Sequence, residues 1–354
     1  MIDDREVRLN LGGGDIELSY PAELPDNPLI SVWMITYNHA SYIKDALDSV
    51  LMQNVDFDYE ICLGEDGSND GTREICLEYA RKYPHRIRLF LRDRSNPARA
   101  RYVAPFRHNG TETRNACRGK YIAMLEGDDF WTSPDKLAKQ AHVLNRHPEL
   151  SCCAHNAVNF DQATLAEVGY YCPPQLPAVL NVRDMLVCDW VPTCSVMFRR
   201  GLFARYPEWY FDLAMGDWPL HLLNMRFGDM GYDPQPMAVY RIHPSGAWSG
   251  STRINHLIGQ FEAYRRFDEL FERKYRRLIR RVVSSRYYEL AMEQMRLGRV
   301  AEARQSYFRM FHHCPYNPDL RLQDVIKCGV RLFAPAVYSG AKAMGFIERQ
   351  TAPR

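Results

Sequence analysis

Along the first half of the chain, short apolar runs alternate with stretches whose apolar residues recur every three or four positions. Residues 29–35 form an apolar run of strand length, stopped by Thr36-Tyr37-Asn38. Ile43, Ala46, Leu47, Val50 and Leu51 then recur at helical spacing behind Ser41, which is placed to cap a helix. Residues 59–63 read as a second strand. Asn69-Asp70-Gly71-Thr72 offers caps for a helix over 73–82, which Pro84 ends, and 87–91 reads as a third strand. This β-α-β-α-β alternation predicts an α/β fold with parallel strands and right-handed crossovers. Residues 121–125 resume the sheet. Ser133-Pro134-Asp135 opens a helix over 136–146, and 151–160 and 193–199 read as further strands.

The flanks differ in character. Residues 1–28, ending in a loop rich in Pro and Asp, read as an N-terminal arm or a strand laid on the main sheet. Residues 92–118 are polar and basic, a loop with a short helix over the sheet edge. From about 253 the pattern is helical, which divides the chain into an arm (1–28), an α/β domain (29–252) and a helical C-terminal region (253–354). Within the last, residues 287–315 resemble one tetratricopeptide-type helix pair, with Ala291, Gly298, Ala303 and Pro315 at its small-residue and proline positions. One such unit cannot bury its own apolar face and needs a cover. Residues 325–344 form a basic amphipathic segment, suited either to a membrane surface or to packing on the body.

Composition narrows the class. With 46% apolar and 25% charged residues over 354 positions, neither a disordered chain nor an integral membrane protein is indicated. The N-terminus lacks the basic and apolar regions of a signal peptide, and the ten cysteines show no metal-type pairs, so they read as reduced cytosolic thiols. Charge is uneven. Residues 253–354 hold 20 Lys and Arg against 10 Asp and Glu, whereas the remainder is net acidic. A basic tail behind an acidic body points to an anionic neighbour such as a lipid head group, or to a solvated helical surface.

The chemistry lies in two acidic turns. Gly64-Glu65-Asp66-Gly67-Ser68 and Glu126-Gly127-Asp128-Asp129 each follow a predicted strand. Ligands of open α/β sheets sit at the carboxyl ends of strands. Carboxylates there would repel a diphosphate by themselves, so a divalent metal, Mg²⁺ or Mn²⁺, belongs to the reading.

The ordered series Ile35-Thr36-Tyr37-Asn38, residues 64–72 and Gly119 to Trp131 resembles the family 2 nucleotide-sugar glycosyltransferases of the GT-A fold, over roughly residues 29–250. The Glu-Gly-Asp-Asp-aromatic-Trp form is similar to a bacterial branch that builds surface polysaccharides. The resemblance implies that Thr36, Tyr37 and Asn38 lie beside the nucleotide base, with Glu65 and Asp66 replacing the family's Asp-Asp pair and Asp66 accepting a hydrogen bond from the base. It implies that Asp128 bridges to the metal, that Glu126 faces the ribose and that Asp129 supports metal or substrate. Asp217, in Met215-Gly216-Asp217-Trp218, falls where the family has its general base, with Asp212 as the rival. In residues 240–249, His243 would complete the metal shell and Arg241 would face phosphate. Trp131 and Trp218 are candidates for the acceptor site.

The implied function is a metal-dependent inverting transfer of a sugar from a nucleotide donor, a UDP-sugar first of all, to a saccharide acceptor that is free or lipid-linked. The implied location is the cytoplasm or the inner face of the membrane. A sugar-phosphate nucleotidyltransferase would need a Gly-rich triphosphate loop where the chain has Thr36-Tyr37-Asn38-His39. A non-catalytic glycan-binding scaffold would have shed the carboxylates that Asp66, Asp128 and Asp217 retain. Nucleic acid is not an expected partner, since the basic helices carry no recognition motif.

Overall fold

The computed structural model describes residues 5–338 except 105 and 247. It divides into two compact units, residues 1–250 and 251–354.

The first unit is built on a twelve-stranded sheet. Its strands are β1 (Val7–Gly12), β2 (Asp15–Ser19), β3 (Ile30–Thr36), β4 (Tyr59–Glu65), β5 (Ile87–Leu91), β6 (Tyr121–Glu126), β7 (Phe130–Trp131), β8 (Leu150–Asp161), β9 (Ala166–Tyr170), β10 (Val179–Leu180), β11 (Met197–Arg199) and β12 (Asp229–Ile242). The helices are α1 (Ile43–Leu51), α2 (Thr72–Lys82), α3 (Phe106–Asn115), α4 (Lys136–Arg146), α5 (Val182–Val187) and α6 (Asp217–Asn224). Strand order is β1-β2-β5-β4-β3-β6-β11-β8-β12-β10, and β5, β4, β3 and β6 run parallel. The chain builds outward from β3 through β4 to β5, then returns to place β6 on the other side of β3. The switch point therefore lies between β3 and β6, and the crevice above it is where such sheets bind ligands. Register makes the strand ends level: Thr36 pairs with Glu65, and Ile35 with Glu126.

The apolar runs end up buried on both faces, as strands of a covered parallel sheet must be. Ile30, Val32 and Met34 of β3 and Ile61 and Leu63 of β4 pack with Ile43, Leu47 and Val50 of α1, Cys76 and Ala80 of α2, and Leu137 and Leu144 of α4. The helix at 43 begins without Ser41. The Tyr42 and Ile43 amides donate to the His39 carbonyl, both at 2.8 Å, so the loop backbone does the capping. At α2 the expected caps are used: Asp70 Oδ1 accepts from Thr72 N at 3.1 Å. The N-terminal segment is a hairpin whose second strand pairs antiparallel with β5. None of the ten cysteines forms a disulfide.

The second unit holds α7 (Arg253–Leu270), α8 (Arg276–Arg296), α9 (Val300–His313) and α10 (Leu322–Phe333). Gly298 turns the chain between α8 and α9 at φ +76°, a conformation that favours glycine. Ala291 and Ala303 are fully buried at the α8–α9 contact, and Val325, Cys328 and Leu332 of α10 join that core. The apolar face of the helix pair is thus covered within the unit itself, while Leu322 and Ile326 stay exposed on α10. Residues 339–344 of the basic amphipathic segment lie outside the described residues. No helix among the described residues is long and apolar enough to cross a membrane.

Candidate active site

Four segments meet above the switch point: the loops after β3, β4 and β6, and the end of β12. The first two are stitched together through short polar side chains. Asn38 N donates to Ser68 Oγ at 2.9 Å, Asn69 N to Asn38 Oδ1 at 3.1 Å, His39 N to Thr72 Oγ1 at 2.8 Å and Ala40 N to Asp70 Oδ2 at 3.0 Å. Asn38 holds φ +54°, a left-handed conformation that Asn tolerates better than most residues. Its side chain therefore shapes the loop. Thr36 is buried at the strand end with its hydroxyl unpaired, and Tyr37 is partly exposed with the Arg94 guanidinium 4.1 Å from its ring centre.

The turn after β6 carries the acids. Asp128 Oδ2 lies 3.0 Å from His243 Nε2 and 3.7 Å from His39 Nε2. Burial would raise the Asp128 carboxyl, but the two imidazoles outweigh it and hold the group below the usual carboxylate range. Ser245 Oγ, 2.9 Å from His243 Nδ1, orients the imidazole from behind. Glu126 is pushed well above the ordinary range, first by burial and then by the charges of Asp128, Asp129 and Asp217. This crowding of carboxylates is costly without a cation. Among the described residues no three His, Cys, Asp or Glu side chains form a complete metal cage. Asp128 and His243 nonetheless form a convergent oxygen–nitrogen pair, and His39 presents Nε2 to the same Asp128 oxygen at 3.7 Å. Such a donor set fits Mg²⁺ or Mn²⁺, which ordinarily keeps several waters and substrate phosphates.

Asp217 opens α6. Its Oδ2 accepts from Thr193 Oγ1 at 2.8 Å and its Oδ1 from Trp218 N at 2.8 Å, so the carboxylate is held in one orientation at a partly exposed position. Asp189 nearby is raised well above the ordinary range, by burial and then by Asp217. The rival Asp212 lies exposed at the end of a short turn, residues 208–212.

Five of the expected contact residues have partners within the protein. Glu65 is fully buried, with Oε1 accepting from Ser68 N and Oε2 from Arg73 Nε, so it braces the turn. Asp129 is buried beneath its turn, where Oδ1 accepts from Arg241 N at 2.8 Å and fastens β12 to β6. Arg241 donates to the Asp128 carbonyl at 2.8 Å and to Asp45 Oδ2 of α1, which ties the acidic turn to α1. Trp131 is 1% exposed, with its indole N–H donating to the Cys194 carbonyl. Trp218 is 3% exposed and donates to the Met185 carbonyl. Neither ring has a free face for a sugar, because apolar area of that size is worth more in the core.

Asp66 is in place but engaged. Arg99 grips it through two bonds of 2.7 and 2.9 Å, and Arg94 Nη1 adds a third at 3.1 Å. Arg94 and Arg99 belong to the basic stretch 92–118, whose arginines the sequence offers to a diphosphate or an anionic acceptor, whereas His39 reads from the sequence as structural and Thr193 carries no signal there.

A mixed sheet whose central strands β5, β4, β3 and β6 run parallel while its flanks pair mainly antiparallel, with acidic loops at the switch point and a helical C-terminal region, is a GT-A-type architecture. Comparison with known proteins agrees. The model of Glycosyl transferase family 2 matches residues 31–203. The uncharacterized protein Rv1520 of Mycobacterium tuberculosis is 35% identical over 219 residues, 62% of this chain and 60% of that protein. EpsE of Bacillus subtilis, provisionally named a glycosyltransferase, is 31% identical over 220 residues, covering 61% of this chain and 73% of EpsE. The chain belongs to glycosyltransferase family 2. It spans about 60% of the length of Rv1520. Among solved structures, Staphylococcus aureus TarS 1–349 in complex with UDP-GlcNAc shares the fold, with a TM-score of 0.59 at 14% identity over 90% of this chain and 93% of that one.

Proposed function

We propose that this protein is an inverting, metal-dependent glycosyltransferase that moves a sugar from a UDP-sugar to a saccharide acceptor in surface polysaccharide synthesis. The observation that carries the reading is the Asp128–His243 pair, 3.0 Å apart at the carboxyl end of β6, with the charge of Asp217 felt by neighbouring Glu126. The nucleotide base would lie beside Tyr37 with Asp66 accepting its imide N–H, a contact carboxylates make well. For that, Asp66 must share or release the grip of Arg99 and Arg94. A donor of UDP type is supported by the shared fold with TarS, whose structure contains UDP-GlcNAc.

Asp128 and His243 would hold a divalent cation. When bound, it supplies positive charge where the diphosphate gains negative charge. Asp217 takes the proton from the acceptor hydroxyl as that oxygen attacks the anomeric carbon. The carbon–oxygen bond to the diphosphate breaks with its electron pair leaving on the nucleotide, and attack opposite the leaving group inverts the anomeric carbon. Thr193 keeps the Asp217 carboxylate aimed during the transfer. The exposed Leu322 and Ile326 on α10, within the basic region, support a peripheral membrane location and a lipid-linked acceptor.

A thermal-shift screen of nucleoside diphosphates tests the reading, since a specific ligand stabilises the folded state by mass action. UDP with Mn²⁺ should raise the melting temperature, chelation should reduce the gain and Asp128→Ala should abolish it. A response that is indifferent to Mn²⁺ and survives in Asp128→Ala would refute the metal assignment, and no response to any diphosphate would refute the enzyme reading.

A further inference from the structure

The helical unit, residues 251–338 as described, contains a cavity of about 490 Å³ between α7, α8 and α9, and the active site uses none of its lining. One wall is aromatic. Tyr287 stacks on Phe261 with ring centres 4.1 Å apart, and His313 stacks on Tyr287 at 5.2 Å. A second hollow of about 470 Å³ shares Phe261 and Tyr287, so the aromatic wall lies along a continuous furrow. The rim is cationic. Arg276 and Arg280 stand one turn apart on α8 and both line the cavity. Arg265, which also lines the cavity, pairs with Glu262 and Glu269, while Arg281 pairs with Asp319 and Arg286 with Glu289 outside the lining. Arg280 donates only to the carbonyls of His312 and His313, at 3.2 and 2.9 Å, which leaves its charge uncompensated by any carboxylate among the described residues. His313 is held below the ordinary histidine range, first by burial and then by His312, Arg280 and Arg309, which reflects a surplus of positive charge.

One acidic group breaks the pattern. Asp268 also lines the cavity, and its Oδ1 is buried with no hydrogen-bond partner. A buried carboxylate oxygen without a donor is costly, so the cavity lacks a hydroxyl or amide N–H. A simple inorganic anion would not supply one. An apolar wall, two guanidinium groups without a carboxylate partner among the described residues and one acceptor in want of a donor match a sugar ring bearing both hydroxyls and an acidic substituent. We propose that this cavity is a binding site for an anionic saccharide: hydroxyls donate to Asp268, the carboxylate or phosphate is taken by Arg276 and Arg280, and the ring lies against the aromatic wall. A bidentate guanidinium contact would suit either acid. The site would let the enzyme hold a charged glycan by a second hand, separately from the sugar being transferred.

The test is equilibrium binding to the full-length protein in the absence of donor. Tetragalacturonate serves as the carboxylated probe, glucose 1-phosphate as the phosphorylated one, and maltotetraose as the neutral control. At least one charged probe should bind, and maltotetraose should bind more weakly. Arg276→Glu, at an exposed position, should weaken the charged probe by about tenfold or more, equivalent to about 1.4 kcal/mol. Asp268→Asn should weaken it as well. Arg277→Glu makes the same change of charge one residue away, outside the cavity lining, and should have little effect. Which charged probe binds decides between carboxylate and phosphate. Equal binding of maltotetraose, equal effects of Arg277→Glu and Arg276→Glu, or binding only to phosphatidylglycerol vesicles would overturn the proposal, the last assigning these cations to a lipid surface.

Discussion

Gly127→Ala adds one methyl group at a point where the turn has no room for it. A Cβ at that position would lie 2.6 Å from Thr36 Oγ1, 2.7 Å from Thr36 Cβ and 3.1 Å from His39 Nδ1. Thr36 cannot retreat alone, because its carbonyl accepts the Asp66 amide at 3.0 Å and its strand is paired on both sides. Comfortable carbon–carbon separation is about 3.5–4.0 Å, so the turn must move by about 1 Å. Overpacking of this kind costs about 1–3 kcal/mol. For a domain of 150–250 residues each kcal/mol is worth about 2–4 °C, which gives a fall in melting temperature of about 2–12 °C. Asp128 is the next residue and moves with the turn. A misplacement of about 1 Å in a reacting constellation costs on the order of 10²-fold in rate. Calorimetric melting and initial rates of sugar transfer measure the two effects separately. Wild-type melting would refute the packing argument, while lowered melting with unchanged rate would show that the position of Asp128 is not what limits transfer.

Three further outcomes follow from the same geometry. Asp217→Asn should retain UDP binding in a thermal-shift titration but lose about 10²–10⁴-fold in turnover, and full turnover would pass the role of base to another group such as Asp212. Glu126→Gln should melt higher than the wild type without ligand. Because the Glu126 pKa is raised in the folded state, its charge costs stability as pH climbs past the ordinary glutamate value of about 4.3, so the gain should grow between about pH 5 and pH 8; a gain that shrinks would contradict the crowding of carboxylates. Lys136 is fully buried with its Nζ 3.8 Å from the Trp131 ring centre and no hydrogen-bond partner, and burial lowers its pKa to about 7. The unfolded chain binds the extra proton between that value and about 10.4, so wild-type stability rises with pH across this window. Lys136→Met should therefore stabilise most below about pH 7 and least above about pH 10, as read from melting temperatures across pH.

What the chain determines by itself is what short-range physics controls. Apolar runs of strand length, helical spacing and turn residues placed β3, α1, β4, α2, β5 and β6 in order, and the acidic turns follow because they interrupt those runs. Covered parallel strands make that signal strong, since every residue of the run is buried. The same local logic shows Asp70 and Thr72 as caps. It does not show what a side chain meets across the fold. His243 reaches Asp128 from 115 positions away, and Thr193 reaches Asp217 from 24. Glu65, Arg241, Trp131 and Trp218 have the residue types of contacts in a ligand site, yet each is consumed inside the structure by a backbone group or an opposite charge. The grip of Arg94 and Arg99 on Asp66 and the cavity of the helical unit are likewise products of packing. A buried polar group must find a partner, and only the tertiary arrangement decides whether that partner is the protein or the ligand.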